Sequence, residues 1–359
     1  MADKNDSHAV TSHGAAMLPA VRVDTYNAEL RDAGGFLGDR ASKGAFNDIL
    51  DDWRERLRRV DADPFGETPT AEISRKELDK VLRSDDLEAS ALLHTAIDEF
   101  AGEFATVIRR FLRSKGWKDT ERIVVGGGFK ESRIGELAVS RAAVLLKADG
   151  INVDLVFIRH HPNEAGLIGA AHLAPAWVFS GHDGILAVDI GGTNIRAGVV
   201  DLARKNDAGP ADYSVWRSEL WRHADDKPKR DEAIERLLGM LRDLAARAGK
   251  EKLALAPFIG IGCPGIIKEG GSIQRGGQNL PGNWESSRFN LADSIRAAIP
   301  ELGGHPTTIV IHNDAVVQGL SQLPFMQDVE RWGVLTIGTG LGNARFTNLP
   351  SKDSRADDR

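Results

Sequence analysis

The run Ile185-Leu186-Ala187-Val188-Asp189-Ile190-Gly191-Gly192-Thr193-Asn194-Ile195-Arg196-Ala197-Gly198-Val199-Val200 constrains the fold of this chain most. It opens with an apolar run of strand length carrying one acid, Asp189. Two glycines and a threonine break the run, and a second apolar segment, Ala197–Val200, begins at once. The pattern predicts a β-hairpin. Its turn crowds backbone N–H groups into an anion-binding concavity, with Asp189 at the end of the first strand. An acid beside a bound phosphate usually has a metal to hold. The bland alternative is an ordinary hairpin with a loop-facing aspartate.

At 359 residues the chain can build two domains with cores of their own. A net charge of -6 is mild and points to no nucleic-acid partner. The single cysteine, Cys263, excludes an internal disulfide framework and a multi-cysteine zinc site, and it fits a reducing cytoplasm. Met1–His13 lacks the apolar stretch of a signal peptide, and no apolar run reaches the ~18–20 residues of a membrane helix. The expectation is a cytoplasmic protein without nucleic-acid or membrane partners. Met1–Ala16 and Ser351–Arg359 read as loose tails.

Along the chain, Val21–Tyr26 alternates like a strand. Phe46, Ile49, Leu50 and Trp53 have helical spacing, with the charges of Asp51–Arg59 on a solvated face. Asp61–Thr70 is a connector with two prolines. A helix over Ser74–Leu82 precedes a long one over Leu87–Leu112, capped by Asp85 or Asp86. Arg122–Phe129 is a strand ending in three glycines; a helix through Ile134–Ala148 and a strand over Val153–Ile158 follow. Glu164–Ala171 is a helix start of small residues, which let a backbone or a flat ligand come close. After the Ala174–Asp183 linker and the opening hairpin come a strand (Val215–Trp221), a helix (Asp231–Ala248) and a strand (Ala254–Gly262) running into Cys263-Pro264-Gly265. Gln278–Trp284 is a polar loop and Leu291–Ala298 a helix. Thr308–Ile311 is a strand leading into His312-Asn313-Asp314-Ala315, with a helix on to Leu320. Trp332–Ile337 is the last strand before Gly338-Thr339-Gly340-Leu341-Gly342, with Ala344–Thr347 as a hairpin partner. This is an α/β alternation with mixed hairpins and crossovers. No Walker A sequence occurs.

Four strand ends carry unusual residues: Asp189 with its Gly-Gly-Thr, Asp314, the Gly338–Gly340 turn, and Gly126–Gly128. Ligands of open α/β sheets gather at strand ends. Two Gly/Thr turns can grip a polyphosphate at two points, and two separated acids can serve a metal and an acceptor hydroxyl. Phosphoryl transfer needs these parts.

DIGGTN at Asp189–Asn194, GCPG at Gly262–Gly265, NLPGNW at Asn279–Trp284, HNDA at His312–Ala315, GTGLG at Gly338–Gly342 and VVGGG at Val124–Gly128 together resemble the sugar kinases of the ROK family. The resemblance implies an actin-like ATPase fold: two ribonuclease-H-like lobes with ATP and sugar in an interlobe cleft. It implies that Asp189 positions Mg²⁺, directly or through water, and that Gly191, Gly192 and Thr193 face the phosphates. Gly338, Thr339 and Gly340 would form the second phosphate loop, and Gly127 and Gly128 would lie against the adenosine. Asn279, Gly282, Asn313 and Asp314 would face a hexose, with Asp314 as general base. Glucose and its 6-hydroxyl are the first expectation, and a homodimer is left open.

The motif order departs from the family. Val124–Gly128 and Gly169–Ala171 belong after the second phosphate loop but stand before Asp189. A circular permutation accounts for this. Residues 1–20 would be a disordered tail, 21–173 the family's C-terminal half, and 174–184 a linker. Residues 185–315 would form the small lobe, 316–348 the return to the larger lobe, and 349–359 a second tail. The family's Cys/His zinc signature is absent, so no structural zinc is expected. Its Glu-x-Gly-His is absent too; Gly34–Arg40 stands in that place, with Asp39 as a substitute. Trp284 is a candidate wall of the sugar pocket. The rival readings are a sugar-responsive regulator, a non-catalytic relative and, among kinases, an amino-sugar acceptor or a polyphosphate donor.

Overall fold

The computed structural model describes residues 12–203 and 209–350. The parts of the two expected tails at 1–11 and 351–359 lie outside the described residues. In chain order the principal elements begin with β1 (Val21–Tyr26), α1 (Lys43–Arg58), α2 (Arg75–Val81) and α3 (Leu87–Arg113). Next come β2 (Arg122–Gly126), α4 (Arg133–Ala148), β3 (Asp154–Phe157) and α5 (Pro162–Ala170). The hairpin follows as β4 (Gly184–Ile190) and β5 (Ile195–Asp201), then β6 (Ser214–Trp221) and α6 (Arg230–Lys250). The chain continues through β7 (Leu255–Cys263), α7 (Leu291–Ala298), β8 (Thr308–Asn313) and α8 (Asp314–Leu320). It closes with β9 (Arg331–Ile337) and β10 (Leu341–Asn348).

Local chemistry explains these boundaries. Ser74 and Glu77 form a reciprocal capping box at the start of α2. Asp86 accepts the Ala89 N–H at 3.0 Å and starts α3. Along α3, Leu92, Ala96, Phe100, Phe104, Ile108 and Phe111 recur at helical spacing and are all buried. Every residue of β4 is buried, as expected of a strand covered on both faces.

By contacts the chain divides into two units. The first comprises 1–27, 159–330 and 344–359; the second comprises 28–158 and 331–343. In the first, the sheet runs β8-β7-β4-β5-β6. β8 and β7 are parallel to β4, while β5 and β6 form an antiparallel meander. Leu186, Val188 and Ile190 pack in one core with Leu237, Leu241 and Leu244 of α6. The other face meets α5: a Cβ on Gly260 would stand 2.7 Å from the Ala170 carbonyl, and one on Gly169 would strike the Val317 carbonyl of α8. The small residues of Glu164–Ala171 therefore serve close packing on the sheet and on α8.

In the second unit β9, β2 and β3 are parallel, under a core built from α1, α3 and α4. The strand order of the whole sheet is β1-β10-β9-β2-β3, of which β1 and residues 344–348 of β10 are counted with the first unit. β10 follows β9 through a three-residue turn, and β1 lies antiparallel to the Ala344–Asn348 part of β10. Each sheet thus has a central strand with two antiparallel strands on one side and two parallel strands on the other. The two like sheets match the α/β class expected from the sequence. They differ in chain order: β4 precedes its sheet partners, whereas β9 and β10 come last in theirs.

Two expectations need correction. The N-terminal segment is fastened from His13 onward. His13 Nδ1 accepts the Ile311 N–H at 3.1 Å, the Gly14 N–H donates to the Ile311 carbonyl at 2.9 Å, and Leu18 is buried. The edge strand β8 offers unpaired backbone groups there, and this segment satisfies them. The helix face over Asp51–Arg59 is not wholly solvated either, because Arg54 is 0% exposed. The connector folds around its guanidinium, with Asp63 accepting at 2.9 Å, Thr70 at 2.6 Å and the Thr68 carbonyl at 2.8 Å.

Candidate active site

Asp189 stands at the C-terminal end of β4, 2% exposed. Its burial follows from Gly166 on α5, where a Cβ would lie 2.5 Å from the Asp189 carboxyl carbon. Burial pushes the Asp189 carboxyl up; the Arg196 guanidinium pulls it back. Hairpin register sets Asp189 directly opposite Arg196. Arg196 Nη1 donates to Asp189 at 3.1 Å and Nη2 donates to Asn163 Oδ1 at 2.7 Å. The turn is held by the Gly191 N–H on the Asn194 carbonyl at 2.8 Å and by the His223 ring on the Gly191 carbonyl at 2.9 Å. A Cβ on Gly192 would stand 2.9 Å from Cβ of Asn279, so the glycine turn and Asn279 are neighbours.

Asp314 lies two strands away. Asp189 pairs in register with Gly262 of β7, and Gly262 pairs with His312 of β8. Two strand spacings put the Asp189 backbone about 10 Å from that of His312, two residues before Asp314. Asp314 is the first residue of α8. Its pKa is pushed up to about 7, first by burial and then by the negative charge of Asp189. Cys263 packs between these strands as a buried thiol, pushed up by burial and by both acids.

Asn313 does a different job from the one expected. Its Oδ1 accepts the Ala315 and Val316 N–H groups at 3.0 and 3.3 Å, and its Nδ2 donates to the Gly265 carbonyl at 3.0 Å. With these bonds the buried amide caps α8 and positions Asp314. His312 braces the same turn. Its Nδ1 accepts the Asn313 N–H at 2.7 Å, so the ring proton sits on Nε2 and donates to the Ala15 carbonyl at 3.1 Å. Burial lowers its pKa to about 4, so it is neutral.

Gly282 holds φ at +71° and sits against Arg230, whose guanidinium donates to the Asn283 carbonyl at 2.9 Å. Trp284 is no pocket wall. It is 1% exposed, packs edge-on against Phe289 and donates to the Pro281 carbonyl at 2.7 Å. His161 caps α5 by accepting the Asn163 N–H at 3.1 Å.

The second unit carries the other two glycine motifs, on adjacent strands. Thr336 of β9 pairs with Gly126 of β2, so Gly126–Gly128 and Gly338–Gly340 emerge side by side. Gly127 has φ +84°, and a Cβ there would strike the Ile337 backbone. Among the described residues, a Cβ on Gly340 would meet nothing within 4 Å, and one on Gly338 only the Gly340 carbonyl at 3.8 Å. The Gly128 carbonyl accepts from Arg75. Asp39 is exposed, in a helical turn that leads into α1, and the Lys43 N–H donates to the Gly338 carbonyl at 2.9 Å.

The structure therefore makes two groups of the expected residues. Asp189, Gly191, Gly192, Thr193, Asn279, Gly282, Asn313 and Asp314 lie in the first unit; Gly127, Gly128, Gly338, Thr339 and Gly340 lie in the second. The sequence reading missed Arg196 and Gly166. Arg196 was legible in principle, because a four-residue turn sets it opposite Asp189. Gly166 was not, because its contact with Asp189 joins elements far apart in the chain.

The donors suit the groups that the motifs call for. Asp189 offers a hard oxygen, and among the described residues the buried Asn194 Oδ1 and Arg196 Nε at the same turn have no hydrogen-bond partner. Mg²⁺ is bound through one or two carboxylates together with phosphate oxygens and water. The space beside Gly338 and Gly340 leaves room for a phosphate against their backbone.

No protein-family model and no curated protein matches the chain. Among solved structures it is similar to a ROK hexokinase from Thermus thermophilus, at 21% identity over 47% of this chain and 49% of that one, with a TM-score of 0.30. The chain resembles sugar kinases. A protein from Listeria monocytogenes assigned as an N-acetylmannosamine kinase matches at 23% identity (46% of this chain, 47% of that one, TM-score 0.32). A protein from Cytophaga hutchinsonii assigned as a sugar kinase matches at 19% (46% and 48%, TM-score 0.34). The chain spans about half the length of each of these structures. A likeness this partial decides neither fold nor activity.

Proposed function

We propose that this chain is a sugar kinase of the ROK type that transfers the γ-phosphoryl group of ATP to a hexose, with the 6-hydroxyl of glucose as first acceptor. One observation carries the reading: Asp314 is held at about pKa 7 on a capped helix start, two strands from a second buried acid. A base with a pKa near neutrality is half ionised where it must work, and it can take a hydroxyl proton as the oxygen attacks. Asn313 and His312 fix its backbone, so little reorganisation accompanies that transfer.

In this reading Asp189 and the Gly191–Thr193 turn serve the phosphate end, with Asp189 holding Mg²⁺ directly or through water. The bound ion would neutralise charge on the phosphates. Gly338, Thr339 and Gly340 offer backbone to the phosphates, and Gly127 and Gly128 lie against the adenosine. Asn279 and Gly282 face the sugar, while Asn313 acts on it through Asp314.

The same reading includes a rotated chain order. Residues 21–173 and 316–348 would build one lobe and 185–315 the other, with 174–184 as linker. Support comes from the two sheets. Their strand orders become identical in sequence if the chain is read from β9 through its end and on to β1. The Leu349 N–H donates to the Ala20 carbonyl at 3.0 Å, which brings the two ends of that reading together.

The test is a coupled ADP-release assay with ATP and Mg²⁺ over hexoses and amino-sugars, N-acetylmannosamine included, with polyphosphate as an alternative donor. At least one sugar should stimulate turnover in the native chain and not in Asp314→Asn. Equal turnover in the two proteins, or stimulation by no sugar, rejects the reading.

A further inference from the structure

Apart from the glycine turns, the second unit has a basic cavity. Leu30, Arg31, Arg110, Arg113 and Ser114 line a space of about 300 Å³ at the C-terminal end of α3. It carries three arginines and no carboxylate. Several other arginines of this unit are answered by acids: Arg54 by Asp63 at 2.9 Å, Arg141 by Asp98 at 2.8 Å and Arg40 by Asp32 at 2.9 Å. Among the described residues Arg110 and Arg113 have no hydrogen-bond or ion-pair partner. Arg31 reaches only Glu29, at 3.5 Å, with both side chains exposed.

The helix terminus alone does not account for this. The negative pole of a helix amounts to about half a charge, which one arginine more than balances. Nor are the arginines used on the last carbonyls, since the Phe111 carbonyl accepts from both the N–H and the hydroxyl of Ser114, at 2.8 and 2.7 Å. With Arg31 set against Glu29, an excess of more than one positive charge remains on one cavity of a chain whose net charge is -6.

We propose that this cavity binds a small phosphorylated anion. Guanidinium groups match phosphate oxygens with paired, charge-assisted donors, and several converging on one cavity favour a multiply charged oxyanion over a carboxylate. The volume admits inorganic phosphate or pyrophosphate. The site stands independently of the proposed kinase reaction, since none of its residues belongs to the glycine turns or the acids.

The test is isothermal titration of the full chain with inorganic phosphate and with pyrophosphate at low ionic strength. The double variant Arg110→Gln/Arg113→Gln should lose one binding event or weaken it at least tenfold. Raising the salt tenfold should weaken the same event. Both side chains are exposed, so the variant should fold, and a thermal melt checks this. Arg133→Gln, at an arginine paired with Glu136, should bind like the native chain. The proposal is overturned if the native chain and the double variant titrate identically, or if Arg133→Gln weakens binding as much as the double variant does.

Discussion

Replacing Asp314 by Asn tests the centre of the functional argument through stability as well as rate. The folded chain raises this carboxyl from 3.8 to about 7. A group with a raised folded pKa adds stability below its unfolded pKa and loses that stability as pH rises through the folded value. Between about pH 4 and pH 7 the unfolded chain has released this proton while the folded chain still holds it, so the native protein weakens across that window. Three powers of ten in the ionisation constant correspond to about 4 kcal/mol at most, before solvent screening reduces the figure. The charge at the start of α8 recovers no more than about 1 kcal/mol of this, so burial wins. The substituted amide keeps the shape of the carboxyl and has no proton to lose. The native chain should therefore match Asp314→Asn near pH 4 and become progressively less stable than it up to pH 8, by a few kcal/mol. Urea unfolding of both proteins across this range measures the difference. The same carboxyl gives turnover that rises with pH through about 7 and then levels, and the variant should lose about 10²–10⁴-fold in kcat. A stability difference that does not change between pH 4 and 8 would refute the claim that the fold resists ionisation of Asp314.

Asp189→Asn should cut kcat by at least about 10²-fold and raise the Mg²⁺ needed for half-maximal rate; a rate unchanged at limiting Mg²⁺ would remove Asp189 from the phosphate end. Gly166→Ala pushes a methyl group to 2.5 Å from the Asp189 carboxyl carbon. It should destabilise by about 1–3 kcal/mol and lower activity, read from a melt and the coupled assay. Trp284→Phe should lower stability by about 1–3 kcal/mol while leaving the KM for sugar within twofold, because the indole is core. A KM raised tenfold at unchanged stability would return Trp284 to the pocket.

Much of the scaffold was legible because its signals are local. Apolar spacing and the Asp86 cap fixed α3, and the Leu291–Ala298 helix and the Val21–Tyr26 strand fall where periodicity sets them. The acids and glycines were legible because they interrupt apolar strands. What could not be read depends on partners distant in sequence. Arg54 looks like a surface charge until the connector folds over it. His13–Ala16 looks like tail because its bonds go to Ile311 and His312. Asn313 has the composition of a ligand contact, but its amide is committed to the helix it caps and to Gly265. Trp284 could have been pocket or core, and only its packing on Phe289 decides between them.

The rotated order carries an energetic signature. In the first sheet the third strand, β6, follows β5 directly, whereas β1 must find β10 across nearly the whole chain; Asp24 and Thr347, bonded at 2.7 Å, are 323 residues apart. Head-to-tail ligation of the full chain would shorten that path to about 30 residues, the 11 after Asn348 and the 20 before Val21. A tenfold shorter loop lowers the closure cost by about 2 kcal/mol, since that cost grows as (3/2)RT ln n. The figure is an upper bound, because other long-range contacts already close part of the loop. The cyclic protein should unfold at higher urea than the linear one and keep its activity. Reopening it just before Arg331 should restore linear stability and leave an active chain whose sheets are both built in the same order. If cyclisation destabilises the protein, the ends are not the neighbours that the β1–β10 pairing requires. If the reopened chain fails to fold, a short connection from β10 to β1 is not equivalent to the one from β5 to β6, and the rotation argument fails with it.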